Sequence, residues 1–450
     1  MPPKNRFVAA GSFGCVYAPS INCGQQRDDT VGKLFVKGRT AQHNHHDFEK
    51  ELNANDLVRE INTEGNFTIT DKGECYISGN ALTDDEKALC ATTSKNREAL
   101  SQTLRSLNAD SIPQIIYEKS GVPLHDIRKS GVPLDRFLVN FRNIMEGLVR
   151  LNDTEYAHMD IKPANILYNA KKNRANLIDF GNFGREERLY ADSQAHLLLL
   201  GHHYPFYPPE FRVLFMFSMG TTHVDIDPRI LQKTALAYHY SLHEEVEMRA
   251  CKYLDLPIKA SKLNVLYTRN NNTKENADMI KRVEKGLRKL DPEIAKGYDT
   301  VLDRFHHRKR QGQIKHFLSK LKEDLFFDDF TYSHIKLAAM EKMFLNERFG
   351  AKIDLYSVGV SLMEVVYDYL MPVLWGEDVS DISHETHAVI ISLLYIISGM
   401  VHPDPFIRLD ARETLWLYSY LVNAIRRNSQ ASQDDLLERI QTYMRDGSSQ

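Results

Sequence analysis

The chain has 450 residues, enough for a deep core and for more than one structural unit, because single cores stop growing at roughly 250–300 residues. Hydrophobic residues make up 42% and charged residues 26%, which excludes the disordered and fibrous classes, and a net charge of -3 excludes any global attraction to nucleic acid or anionic membrane. The five cysteines (Cys15, Cys23, Cys75, Cys90 and Cys251) form no C-x-x-C pair, so they suggest neither a disulfide framework nor a zinc site and point to a reducing compartment. MPPKNRFVAAGSFG lacks a sustained apolar stretch, and the longest apolar run, Ala388 to Ile397, is too short to span a bilayer. The expectation is an intracellular, soluble protein.

From Arg6 to Phe35 short apolar runs broken by Gly, Pro, Asn and Asp predict hairpins in a small N-terminal sheet. This stretch contains AAGSFGCVYAP, 9–19, whose small residues suit either an ordinary hairpin turn or a close backbone approach to a ligand. Residues His46 to Ile61 space Phe48, Leu52 and Leu57 at helical intervals. The polar stretch Gly65 to Asn108 reads as an irregular insertion. A strand resumes at Gln114 to Tyr117 and enters a connector in which KSGVPL occurs twice, ten residues apart; a repeat architecture needs a period above about 20 residues and more copies, so this is a local duplication in a hinge. Phe137, Phe141, Ile144, Met145, Leu148 and Leu151 then mark a long amphipathic helix from Leu134 to Leu151.

That helix leads directly into HMDIKPANILYN, 158–169, followed by ANLIDFGNF, 175–183. Asp160, Asn165 and Asp179 thus sit on two loops a short hairpin apart. An aspartate that accepts a hydroxyl proton, an asparagine and a second aspartate that hold Mg²⁺, and a lysine for the moving phosphate meet the needs of phosphoryl transfer, which is mostly positioning and electrostatic stabilisation.

The motifs H-x-D-x-K-x-x-N and D-F-G resemble the catalytic and metal-binding loops of eukaryotic-type protein kinases. Further elements stand in that family's order along the chain. Residues 9–16 resemble the phosphate-covering glycine loop, with Gly11, Gly14 and Val16 matching, Ala9 replacing the first glycine and Phe13 at the tip. In VGKLFVKG, Lys33 and Lys37 are both candidates for the phosphate-anchoring lysine; Lys33 is preferred because it puts Val31, not bulky Phe35, over the adenine. The partner glutamate on the following helix is Glu51, with Glu49 as the alternative. Pro208, Pro209 and Glu210 stand where the family has A-P-E; DLYSVG, 354–359, resembles the start of the central helix of the large lobe; and Asp404, Pro405 and Arg408 resemble D-P-x-x-R, whose arginine is expected to pair with Glu210. Cys15, Cys23, V-G-K, P-P-E and D-x-Y-S-x-G are similar, more narrowly, to serine/threonine kinases of large nucleocytoplasmic DNA viruses, a resemblance that would extend the location to host cytoplasm and virion.

The resemblance implies a bilobal α+β fold: a small β-rich lobe with one helix at 1–118, interrupted by an insertion at about 65–110; a large, mainly helical lobe at 119–425 with a helical insertion at about 211–350; and a C-terminal helix and tail at 426–450. It implies ATP and Mg²⁺ as cofactors and protein substrates as partners. Asp160 would be the base and Lys162, a mark of serine/threonine enzymes, would contact the transferred phosphate; Asn165 and Asp179 would hold the metal. Ala9, Gly11, Ser12, Phe13, Gly14, Val16, Val31, Lys33, Glu51 and Tyr117, with Asn165 and Asp179, would hold the nucleotide. His158 would pack structurally near the D-F-G turn.

Met159 departs from the family, where arginine usually precedes the catalytic aspartate and receives an activation-loop phosphate. Residues 182–207 also contain one hydroxyl of the serine/threonine type, Ser193, so activity is expected without phosphorylation of that segment; core packing is an equal alternative for Met159. Within the large insertion the basic stretch Arg304 to Lys322 reads as the solvated face of a helix or as a docking surface for an acidic partner or nucleic acid. Two rival functions are a pseudokinase scaffold without transfer and a small-molecule kinase, which would share H-x-D-x-x-x-x-N but lack Lys162, D-F-G and A-P-E.

Overall fold

The structure is a computed structural model, and its described residues are 6–11, 13–21, 28–62, 67–69, 71–94, 96–186, 206–208, 348–374, 384–402, 408–427, 438–440 and 442–443. In chain order, the first described elements are β1 (Phe7–Ala10), β2 (Gly14–Tyr17), β3 (Thr30–Phe35), α1 (Ala41–Ile61), β4 (Asp71–Ile77), α2 (Asp84–Thr92), α3 (Arg97–Leu107) and β5 (Ile112–Glu118). They continue with β6 (Val122–Pro123), α4 (Leu134–Asp153), β7 (Tyr156–Ala157), β8 (Ile166–Asn169), β9 (Arg174–Leu177), β10 (Gly184–Arg185), α5 (Phe349–Leu374), α6 (His384–Met400) and α7 (Ala411–Arg427). The class is α+β, and the chain divides into two compact units. One is Met1–Val122 with Leu167–Phe183; the other is Pro123–Ile166 with Gly184–Gln450.

The first unit is built on an antiparallel sheet of order β1-β2-β3-β5-β4. Strand period 2 gives its two faces different work. Cys15, Tyr17, Leu34 and Ile112 share a buried cluster with Leu82, Cys90 and Leu107. Phe35 and Ile115 pack instead with Phe48 of α1, so Lys33, one strand step from Leu34, faces the side that α1 covers. Thr40 starts α1 by accepting the N–H of His43. Gly14 has no room for a side chain: a Cβ there would lie 1.6 Å from the Leu34 carbonyl oxygen. Leu167–Phe183 contributes β9, which carries the chain to Asp179, and Leu177 donates its N–H to the Phe67 carbonyl at 2.8 Å.

Two expectations need correction here. The stretch 65–108 is not irregular: β4 is a full strand of the sheet, and α2 and α3 join α1 among the described residues of this unit. A capping box, Thr83 with Glu86, starts α2 and was visible in the sequence as T-x-x-E. The cysteines are also not all free. Cys15 and Cys90 form a disulfide across a sequence separation of 75, and Cys75 is disulfide-bonded as well. Spacing could not reveal the Cys15–Cys90 pair, because its partners lie on a strand and on a helix that the reading did not expect. The argument from free thiols to a reducing compartment therefore loses its basis.

In the second unit α4 buries Phe137, Phe141, Ile144, Met145, Leu148 and Leu151 along one stripe, as its spacing predicts. Tyr418 of α7 donates its hydroxyl to the Leu138 carbonyl at 2.8 Å. In α5, Ile353, Leu355, Val358, Leu362 and Val366 are buried, while Ser357 and Ser361 donate to the carbonyls one turn earlier, which satisfies the hydroxyls that this burial strands. Gly359 admits a close approach, since a Cβ there would lie 2.7 Å from Val401 Cγ1. The apolar run 388–397 lies in α6, and no helix among the described residues is long and apolar enough to cross a membrane. Of the segments singled out in the sequence, Ser12, Ser193, Pro209, Glu210, Asp404 and Pro405 lie outside the described residues, as do the basic stretch 304–322 and nearly all of 211–350.

Two stability tests follow. Closing a loop of this length restricts the unfolded chain enough to be worth about 4 kcal/mol, so Cys15→Ser should lower the denaturation free energy of the first unit by that order, and reductant should cost wild type more than the variant, in which only the Cys75 bond remains to be reduced. The second concerns Glu86, 2% exposed and in contact with Arg6 Nε at 2.8 Å. Burial works to raise its pKa, but hydrogen bonds from Arg6 and from the Thr83 and Arg6 backbone N–H groups bring it down from 4.5 to about 2. A depressed folded pKa contributes stability that is complete above pH 4.5 and is lost as the pH falls toward 2. Glu86→Gln should flatten that part of the acid-stability profile.

Candidate functional site

Three segments of the first unit converge on one ammonium group. Lys33 Nζ donates to Glu51 Oε2 at 2.5 Å and to Asp179 Oδ1 at 2.7 Å. β3 supplies the lysine, α1 the glutamate, and the chain just after β9 the aspartate. Glu51 is 1% exposed, and its second oxygen, Oε1, accepts the Tyr117 hydroxyl at 2.8 Å; that hydroxyl in turn accepts Asn55 Nδ2 at 2.9 Å. Glu51 and Asn55 are one helical turn apart on α1 and meet the same tyrosine. Tyr117, expected as a nucleotide contact, is therefore engaged in fixing Glu51. The alternatives sit elsewhere: Lys37 Nζ donates to Thr93 Oγ1 at 2.7 Å, and Glu49, 57% exposed, faces His45 at 3.1 Å.

Burial by itself would lower the Lys33 pKa, but the Asp179 and Glu51 carboxylates more than offset it and hold the ammonium above its ordinary value. For Glu51 the balance differs: burial pushes its pKa up, Lys33 opposes this, and the Asp179 charge adds to the rise. Lys33 is thus a permanent cation beside two carboxylates, the arrangement that a phosphate-anchoring lysine needs.

The glycine-loop candidates lie on β1, β2 and the turn joining them. Ala9 pairs with Val16 and Val16 with Lys33 across the sheet, and Val31 pairs with Tyr117. Gly11 donates its N–H to the Gly14 carbonyl at 2.9 Å, and open space surrounds the position its Cβ would take. Phe13 is not an outlying tip. Its carbonyl accepts the N–H groups of Val36 and Lys37, its ring centroid lies 5.9 Å from Lys33 Nζ, and the same ring would come within 3.2 Å of a Cβ on Gly181.

A second cluster forms in the second unit. Lys162 Nζ donates to the Asp160 carboxylate at 2.8 Å and 3.1 Å, and Asn165 Nδ2 donates to the Asp160 carbonyl at 2.8 Å and to its Oδ2 at 3.0 Å. The loop is pinned from beneath by Asp354 of α5, whose two oxygens accept the His158 and Met159 N–H groups at 2.6 Å and 2.9 Å. Burial raises the Asp354 pKa, and its contacts with His158 and Met159 oppose the rise. His158, fully buried, accepts the Asp160 N–H on Nδ1 at 3.3 Å. Met159 is buried and has a left-handed backbone, φ 62, a conformation that costs a non-glycine residue on the order of 1–3 kcal/mol. Its carbonyl accepts the Tyr207 hydroxyl at 2.6 Å, and Ser357 donates to the Phe206 carbonyl at 2.8 Å. Arg408 is buried, donates to the His402 carbonyl at 2.8 Å and stacks over Tyr356 at 5.1 Å.

The oxygen donors that suit a hard divalent cation are the Asp179 carboxylate and Asn165 Oδ1. Both bonds from Asn165 to Asp160 use the amide nitrogen, not the amide oxygen. Each of these two donors, taken by itself, is an oxygen of the type that Mg²⁺ takes. Sequence reasoning missed Tyr207 and the Asn55–Tyr117 support of Glu51. No motif marks Tyr207, whereas the spacing of Glu51 and Asn55 on one helix face was a usable signal.

Breaking a buried ion pair by removing one partner costs about 3–5 kcal/mol. Glu51→Ala should destabilise the first unit by that order in denaturant titrations, while Glu49→Ala should leave it unchanged; equal effects would contradict the pairing. No protein-family model and no curated protein sequence matches the chain.

Proposed function

We propose that the chain is a protein serine/threonine kinase, dependent on ATP and Mg²⁺, with a small lobe at 1–118 and a large lobe at 119–425. The observation that carries this reading is the contact of Lys33 with both Glu51 and Asp179. These three residues come from separate segments, and the motif resemblance assigns them to one phosphate-binding and metal-binding group.

On this reading Lys33 anchors the nucleotide phosphates, and Glu51, held by Tyr117, fixes the lysine. Asp160 accepts the proton of the substrate hydroxyl, and Lys162 contacts the phosphoryl group in transfer. Asn165 and Asp179 would hold Mg²⁺, which when bound neutralises charge on the phosphates. A second reading, a scaffold without transfer, draws support from Phe13, whose ring lies against the Lys33 and Gly181 region. Nucleotide entry then requires that ring to move.

Asp160→Asn should lower kcat by ~10²–10⁴-fold, the usual worth of a positioned general base, with little change in nucleotide affinity. Undiminished transfer in that variant would contradict the assignment. Ser193→Ala should retain wild-type activity in the same assay, because Met159 provides no cation to receive a phosphate; loss of activity would show that the segment does need one.

A further inference from the structure

The left-handed backbone of Met159 is opposed by its own residue type and therefore depends on its surroundings. Two elements supply the restraint: Asp354 of α5 takes the Met159 N–H at 2.9 Å, and the Tyr207 hydroxyl donates to the Met159 carbonyl at 2.6 Å. The next residue is Asp160, so the carbonyl that Tyr207 holds belongs to the peptide that carries the base. Tyr207 is 3% exposed, and phenylalanine would fill the same ring volume. The hydroxyl is thus separable from packing. Burial, and then the charges of Asp160 and Asp354, hold this phenol protonated far above its ordinary range, which makes it a donor throughout the working pH range.

We propose that Tyr207 is a positioning residue for Asp160, its hydroxyl fixing the Met159–Asp160 peptide in the orientation that proton acceptance requires. The catalytic consequence rests on the kinase reading above. Tyr207 immediately precedes P-P-E, at the end of the segment that follows Asp179, and Ser357 secures the neighbouring Phe206 carbonyl at 2.8 Å. The end of that segment is therefore tied to the base by hydroxyl groups already in the chain, and order at Asp160 needs no added phosphate.

The test is Tyr207→Phe in the full chain, read in two ways. In phosphate transfer, kcat should fall at least tenfold while KM for ATP stays within twofold. On a Met159→Gly background, where the left-handed backbone is unstrained, the same substitution should cost less than threefold. Independently of activity, hydrogen exchange in the peptide spanning 157–162 should quicken at least tenfold with α4 unchanged. Unaltered exchange there overturns the proposal whether or not the protein transfers phosphate, and so does a kcat within twofold of wild type. If wild type transfers nothing, the kinase reading fails and exchange alone decides the role of Tyr207.

Discussion

The constraint on which the first unit depends is the burial of Lys33 between two carboxylates. Removing such charges from water costs several kcal/mol per ion, and only close, directed contacts offset it. Lys33 has them at 2.5 Å and 2.7 Å, and the Tyr117 hydroxyl takes the remaining Glu51 oxygen. The sheet register, the placement of α1 and the turn after β9 must all be correct at once for this to hold. Two carboxylates against one ammonium also leave negative charge in excess, with Glu51 pushed up and Lys33 held protonated. A group with that imbalance is stabilised by an added cation, which is the electrostatic logic of the proposal that Asp179 holds a metal ion beside the lysine.

The Asp160 loop is organised by a different principle. Its order comes from the backbone: Asp354 holds two consecutive N–H groups, and Tyr207 holds the Met159 carbonyl that follows them. Asp160 itself is then oriented by Lys162 and Asn165. Such pinning suits the base that Asp160 is proposed to be, because reorganisation during the reaction is what preorganised sites avoid. From Asn165 the chain reaches Asp179 through β8, a turn and β9 alone, so a short hairpin fixes the separation in sequence of the two proposed metal ligands.

Legibility in the sequence followed the range of the interactions involved. The hairpins of β1 to β3, helix α1 and helix α4 declare themselves through period and turn residues over a few positions. Lys33 and Glu51 could be named because a resemblance supplied their spacing, yet Lys37 and Glu49 stayed open until register and burial separated them. The stretch 65–108 was misread for a local reason: its polar composition masked β4, α2 and α3 despite the Thr83–Glu86 capping box. The Cys15–Cys90 bond and the Tyr207 contact were invisible for another reason, since each joins residues whose proximity only the tertiary fold creates. Phe13 shows a third limit, because sequence marks a loop tip but not the direction in which the tip folds.

The central claim is that the two clusters perform magnesium-dependent phosphoryl transfer to hydroxyl groups of proteins. Its most direct test is identification of the amino acid labelled when wild type is given ATP labelled in the γ-phosphate and a mixed panel of acidic and basic proteins, with and without Mg²⁺. The account predicts phosphoserine or phosphothreonine only when Mg²⁺ is present. Bound nucleotide with no labelled amino acid under any of these conditions would contradict it and leave the scaffold reading in its place.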